Sequence, residues 1–178
     1  LKLAWYEPAA SAESAASADA QPHVGVGAHT DSGFLTMLLQ DGGGLQAFTQ
    51  GEWTDVPPMG PDVVVCNLGE VAEVASGGYL LATPHRVLSP SAARLSIPFF
   101  YNPSLETVVD PLQLPASLAW ERDGAYDATR HWRRPSNAML REYGQNAFKS
   151  LARSHPAVFA AHHSDLEVLE DGQVVKRP

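Results

Sequence analysis

In the stretch GVGAHTDSGFLTMLLQD, residues 25–41, His29 and Asp31 stand two positions apart at the head of an alternating, strand-like run. Residues i and i+2 of a strand project to one face, so the imidazole and the carboxylate reach one point while Thr30 turns away. A charge on a buried β-face is costly unless it is paired or bound to a metal. Alone, a His-x-Asp pair is more often a hydrogen-bonded pair or a solvated face than a ligand set. A second histidine would change that weighting. Two histidines and one carboxylate on one face of an ion leave three positions open, which suits non-haem Fe(II) chemistry with O2. His85, in YLLATPHRVLSP, is the candidate, read as ending a strand far enough downstream to be a different one.

A third element comes in ARLSIPFFYNP, where Arg94 and Ser96 again share one strand face. A guanidinium fork beside a hydroxyl matches a carboxylate. Standing alone, the segment would be read almost as readily as an edge arginine paired with any nearby acid; its place shortly after His85 favours the carboxylate site. The other histidines, His23, His131, His155, His162 and His163, lack such a frame and are read as structural or surface residues, the last two near a helix end.

These side chains need a scaffold. From His23 to Tyr101 short apolar runs alternate with Gly and Pro: GFLTMLL, LQAFT, EWTDV, DVVVCNL, YLLATPHRV and RLSIPFF. The close spacing, with no helical segment read between the runs, predicts antiparallel strands in a sandwich or jelly roll, with two facing sheets as the core. Residues 9–21, AASAESAASADAQ, are small and polar and read as a flexible surface insertion. The segment 136–153 predicts one closing amphipathic helix, with Leu140, Tyr143, Ala147 and Leu151 on its face and Ser136 or Asn137 as cap. In the tail, Asp171-Gly172 lies between two β-prone pieces and suits a small hairpin or a frayed end.

The 178 residues, 44% hydrophobic, are enough for one domain with a core. A net charge of −8 argues against nucleic acid as a partner, since a nucleic-acid footprint needs a basic face. Cys66 is the only cysteine, so no intrachain disulfide or cysteine-based zinc cluster forms, and a reducing, cytoplasmic setting is expected. No apolar run reaches the roughly 18 residues of a membrane helix, and no signal peptide is read at the N-terminus, so no membrane association is expected. Nothing in the pattern speaks to oligomeric state.

Together, HTDSGFLTMLLQD, GLQAFTQGEWTDVPP, VVVCNLGE, YLLATPHRV and RLSIPFFYNP resemble, in order and spacing, the iron(II)/2-oxoglutarate-dependent dioxygenases, in the branch containing isopenicillin N synthase and the plant flavonoid and gibberellin oxygenases. The resemblance covers about residues 1–103, with a weaker likeness in YGQNAFKSLARSHP. It implies a mainly β double-stranded β-helix (jelly roll) with a C-terminal α-helix: an oxygenase core over residues 1–103 and a C-terminal extension over 104–178. It implies His29, Asp31 and His85 as ligands of Fe(II), Arg94 and Ser96 as the clamp on the distal carboxylate of 2-oxoglutarate, and Tyr6 as a hydrogen-bonding partner of co-substrate or substrate. It further implies O2 as oxidant, an unidentified small-molecule substrate, and oxidation of a C–H bond by hydroxylation, desaturation or ring closure.

Departures from the family pattern are the stretched interval between Tyr6 and His29 and Glu70, where an aspartate is usual after NLG. Family members also carry a substantial N-terminal region ahead of this part, which this sequence lacks. Asn67 and Phe100 are read as packing the sheet rather than lining the site, and Trp53, Trp120 and Trp132 equally as packing or as a lid. Other readings stay open: an isopenicillin N synthase-like oxidase not using 2-oxoglutarate, a non-catalytic binding domain, or a cupin-like Zn2+ or Mn2+ enzyme on the same ligands.

Overall fold

The computed structural model describes residues 1–8, 24–119, 140–169 and 173–177. The expected insertion at 9–21, His23, Trp120, His131, Trp132, the capping residues Ser136 and Asn137, and the turn Asp171-Gly172 lie outside the described residues. In chain order the elements are β1 (Ala4–Tyr6), β2 (Val24–His29), β3 (Leu35–Gln40), β4 (Leu45–Thr49), β5 (Glu52–Asp55), β6 (Val65–Leu68), α1 (Glu70–Ala75), β7 (His85–Leu88), β8 (Arg94–Tyr101), α2 (Ala116–Ala119), α3 (Tyr143–Ser154), α4 (Pro156–His162), β9 (Leu166–Val168) and β10 (Val174–Lys176).

Two four-stranded sheets, ordered β1-β8-β3-β6 and β2-β7-β4-β5, are antiparallel throughout and form the expected jelly roll. Leu38 of the first sheet meets Leu45 and Val87 of the second, with Tyr6, Val26, Val56 and Val65 packed around them. Each fully buried aliphatic side chain contributes about 1.5–3 kcal/mol, and this small cluster holds the sheets together. On β3 the buried positions are Thr36, Leu38 and Gln40; on β8 they are Arg94 and Ser96. The alternation that builds the core therefore also turns a row of polar side chains inward.

Three expectations about the elements need correction. A helix, α1, does separate β6 from β7, although its sequence EVAEVA is too short and too rich in valine to show a helical period. It forms because its first N–H groups are satisfied by another segment: Glu70 N donates to Asp31 O at 2.8 Å and Val71 N to Gly33 O at 3.0 Å. Secondly, His85 opens a strand rather than ending one. In YLLATPHRV the N–H groups of Leu80 and Ala82 bond to side chains, and Pro84 has none to offer a ladder.

Thirdly, α3 starts at Tyr143, not near Ser136. Its first N–H groups are taken by carbonyls, Tyr143 N to Thr107 O at 2.9 Å and Gly144 N to Leu105 O at 2.8 Å, so tertiary contacts set the boundary. The buried face is Tyr143, Asn146, Lys149 and Ala152, whereas Leu151 is 38% exposed. Tyr143 joins Val71 and Val109 in a second cluster with Val74, Ala75 and Ala147, which seats α3 on α1. A further helix, α4, begins with Pro156 at its first turn and was not expected. The tail pairs as a small hairpin, Val168 opposite Val174. No helix among the described residues is long and apolar enough to cross a membrane.

Candidate active site

His29 is the last residue of β2 and lies directly opposite His85, the first of β7. Their rings are 4.3 Å apart between centroids. Asp31 lies past the end of β2 in the turn into β3, so the same-face argument for a continuous strand is only half realised; the turn completes the approach. His29 Nε2 and His85 Nε2 each lie 3.7 Å from Asp31 Oδ1. The three candidate ligand atoms all fall within 4.8 Å of one another. Thr30 points away, as expected, and donates to Glu70 Oε1 at 2.6 Å.

The surroundings decide which atoms face the centre. His29 Nδ1 lies 2.8 Å from Gly27 O, and His85 Nδ1 lies 3.0 Å from Thr83 O. A carbonyl only accepts, so each Nδ1 carries the proton and each Nε2 presents a lone pair. Asp31 Oδ2 is taken by two donors, Thr36 Oγ1 at 2.5 Å and Asn67 Nδ2 at 2.8 Å, which leaves Oδ1 to face the imidazoles. The His29 side chain is 42% exposed. Even so, desolvation, followed by repulsion from a charged His85, holds its pKa below the usual 6.5 against the pull of Gly27 O and Asp31. Low pKa and tautomer both favour the neutral, metal-binding imidazole. A donor set of two imidazole nitrogens and one carboxylate oxygen, each oriented from behind by a hydrogen bond, fits a divalent transition metal.

A cavity of about 350 Å³ joins this cluster to the second set of candidates. Arg94 is completely buried on β8, with Nη2 donating to Gln40 Oε1 at 2.8 Å and Nε to Gly42 O at 3.1 Å. The Tyr6 ring lies 4.9 Å from its Cζ, and Tyr6 faces Arg94 across the β1–β8 pair. Burial lowers the guanidinium pKa, and Tyr6 and then Asp41 pull it back up. Arg94 Nη1 is buried and has no hydrogen-bond partner. Ser96, two residues on and 4% exposed, opens to the same cavity. An unsatisfied buried N–H group beside a hydroxyl is a fitting receptor for one carboxylate oxygen pair.

Every site residue expected from the sequence thus lines one cavity: Tyr6, His29, Asp31, His85, Arg94 and Ser96. Two readings are overturned. Asn67 holds Asp31 by a hydrogen bond instead of merely packing, and Phe100 lines the cavity wall. Trp53 packs against Phe48 and under the Arg86 guanidinium, 4.2 Å away. Thr36 and Gln40 escaped the sequence reading. Their signal was two polar residues at buried positions of the alternation on β3.

Residues 6–103 match the sequence profile of the 2OG-Fe(II) oxygenase superfamily. The chain belongs to that superfamily. Among curated relatives, it is similar to 1-aminocyclopropane-1-carboxylate oxidase 1 of Oryza sativa subsp. japonica, 46% identical over 90 residues that make up 49% of this chain and 28% of the relative. It is also similar to 1-aminocyclopropane-1-carboxylate oxidase 4 of Arabidopsis thaliana, 45% identical over 91 residues, with 49% and 28% covered. The matched part therefore spans less than a third of these relatives' length. Among solved structures, a full-length Neurospora crassa protein in complex with alpha-KG and thymine aligns with a TM-score of 0.56 and 26% identity, covering 74% of this chain and 38% of that one. The rice dioxygenase for auxin oxidation aligns with a TM-score of 0.52 and 32% identity, covering 75% and 42%.

Proposed function

We propose that this chain carries the active site of a non-haem Fe(II) dioxygenase that couples oxidative decarboxylation of 2-oxoglutarate to the oxidation, in the first instance hydroxylation, of a small organic molecule. One observation carries the reading: the cluster of His29, Asp31 and His85 shares a cavity with a buried Arg94 whose Nη1 has no partner. His29, Asp31 and His85 are the metal ligands. Arg94 and Ser96 take the distal carboxylate of 2-oxoglutarate, and Tyr6 orients the co-substrate against the guanidinium. Residues 1–103 form the oxygenase core and 104–178 its C-terminal extension, and the lone Cys66 fits a cytoplasmic setting.

Iron held with 2-oxoglutarate supplies activation of O2 for attack on an unactivated C–H bond. The chain's contribution is position and exclusion of water. Thr83 O and Gly27 O fix the imidazole tautomers, and Thr36 and Asn67 hold the carboxylate of Asp31 so that one oxygen faces inward. The apolar cavity wall, including Val26, Leu38 and Phe100, keeps the charged clamp at Arg94 in a medium of low dielectric, where its attraction for a carboxylate is strongest.

A second reading has specific support in the relatives named as oxidases of 1-aminocyclopropane-1-carboxylate. In it, Arg94 and Ser96 receive the carboxylate of another substrate and 2-oxoglutarate is not used. Anaerobic titration with Fe(II) and then 2-oxoglutarate separates the two, read by the weak visible charge-transfer absorption of a chelated keto acid. We expect the absorption in the parent chain and its loss in His85→Ala. Iron binding without the absorption favours the second reading, and a folded chain that binds no iron sinks both.

A further inference from the structure

α1 supplies no candidate ligand, yet it touches both segments that deliver them. Its first N–H groups hold the carbonyls of Asp31 and Gly33. Near its other end lie two buried polar side chains that the proposed chemistry does not use, Glu73 at 3% exposure and Ser76 at 8%. Glu73 Oε2 accepts the N–H of Ala82 at 2.9 Å. Ser76 Oγ accepts the N–H of Leu80 at 2.9 Å. Gly77 and Gly78, at φ 63° and 85°, fold the chain back toward the helix, with Gly78 N donating to Glu73 O at 2.8 Å. The segment entering β7 thus bonds to the side chains of α1 where a strand would bond to a neighbouring strand.

The next residues along the chain connect this arrangement to the metal site. Thr83 comes directly after Ala82, and the Thr83 carbonyl is the acceptor for His85 Nδ1. A buried carboxyl group accepting a backbone N–H makes a strong, directional bond in a medium of low dielectric. The Thr83 carbonyl belongs to the Thr83–Pro84 peptide, two units beyond the one whose N–H Glu73 holds, so anchoring Ala82 restricts the path of the short segment that presents this acceptor to His85 Nδ1.

We propose that Glu73, assisted by Ser76, is a positioning residue for His85: through Ala82 and Thr83 it holds the imidazole with Nε2 aimed at Asp31. This rests on the reading of His85 as a metal ligand. The test uses the full chain, with Co(II) alone as the metal probe, and three variants: Glu73→Leu, Glu73→Gln and Ser76→Ala. Co(II) affinity and the visible spectrum of the bound ion are measured, together with the His85 tautomer by nitrogen NMR on metal-free protein.

In Glu73→Leu we expect a loss of affinity of about ten-fold or more, the size typical when a partner behind a ligand is removed, with a changed spectrum and a mixture of His85 tautomers. Glu73→Gln, whose amide oxygen still accepts from Ala82, should stay close to the parent. Equal losses in Gln and Leu would overturn the proposal, as would parent-like affinity, spectrum and tautomer in folded Glu73→Leu. If Glu73→Leu does not fold, Ser76→Ala decides: weaker Co(II) binding with mixed tautomers supports the proposal, and parent values overturn it. Failure of the parent chain to bind Co(II) counts against His85 as a ligand, while the tautomer of the metal-free variants still decides the role of Glu73.

Discussion

Gln40 shows how much a single inward side chain can determine. Its Oε1 accepts from Arg94 Nη2, its Nε2 donates to Val56 O at 2.9 Å, and it is 6% exposed, so both ends of the amide are committed. Gln40→Leu would leave a guanidinium N–H and a backbone carbonyl without partners, at a cost of about 1–3 kcal/mol for a buried unsatisfied group. We expect the variant to remain folded, with a lower urea midpoint and a raised KM for 2-oxoglutarate but a smaller change in kcat. Succinate release against co-substrate concentration checks this, and an unchanged KM would show that Gln40 does not hold Arg94. The sequence pointed to His29, Asp31, His85, Arg94 and Ser96 as candidates through residue type and spacing together with motifs whose order resembles the iron(II)/2-oxoglutarate-dependent dioxygenases. The roles of Gln40 and of Asn67, the latter read as packing, were not legible because they depend on distant partners: Gln40 lies 54 positions from Arg94 and Asn67 lies 36 from Asp31.

At the scale of elements, α1 depends on the close approach of two glycines. A Cβ on Gly69 would stand 2.2 Å from Gly33 O and 2.9 Å from Asp31 O, both backbone atoms that cannot swing away. A Cβ on Gly33 would instead meet the Asn102 side chain at 1.9 Å, and a side chain can rotate. Gly69→Ala should therefore destabilise by about 1–3 kcal/mol, the usual range for overpacking, and weaken metal binding by displacing the turn that carries Asp31. Gly33→Ala should cost less on both measures. Thermal melting and metal titration of the two variants test the order, and a reversed order would contradict the packing described. The strands were legible from alternation and turn residues. α1 was not, because six residues of mixed propensity form a helix only when other segments take up their free N–H groups.

For the molecule as a whole, the inward-facing site has a consequence for pH. The unfolded chain takes up the His29 proton near pH 6.5, the folded chain only at lower pH, because burial and then His85 depress the pKa. As pH falls through 6.5 the unfolded state binds more protons than the folded one, so the contribution of His29 to stability declines; above that range it is unaffected. Metal-free parent protein should therefore lose more stability between neutral and mildly acid pH than His29→Gln does. Urea midpoints at the two pH values measure the difference, and parallel losses would refute it. Metal affinity should fall over the same acid range, since protons compete for Nε2.

Taken alone, the sequence determined the residue types of the candidate site and the β-rich class, because alternation places apolar and polar side chains on opposite faces whatever their distant neighbours; the jelly roll, as against another sandwich, came from the family resemblance, and the strand pairing only from the structure. The sequence also determined that Arg94 and Ser96 share a face, since two strand positions always do. Only the tertiary structure decided that Asp31 reaches the imidazoles from a turn, that α1 braces the segments on either side of it, and that α3 begins at Tyr143. The physical reason is common to all three. A free backbone N–H or carbonyl must find a partner when it is buried, and in each case at least one partner comes from a segment distant in the chain, Asp31 and Gly33 for the start of α1 and Thr107 and Leu105 for that of α3, which no local pattern encodes.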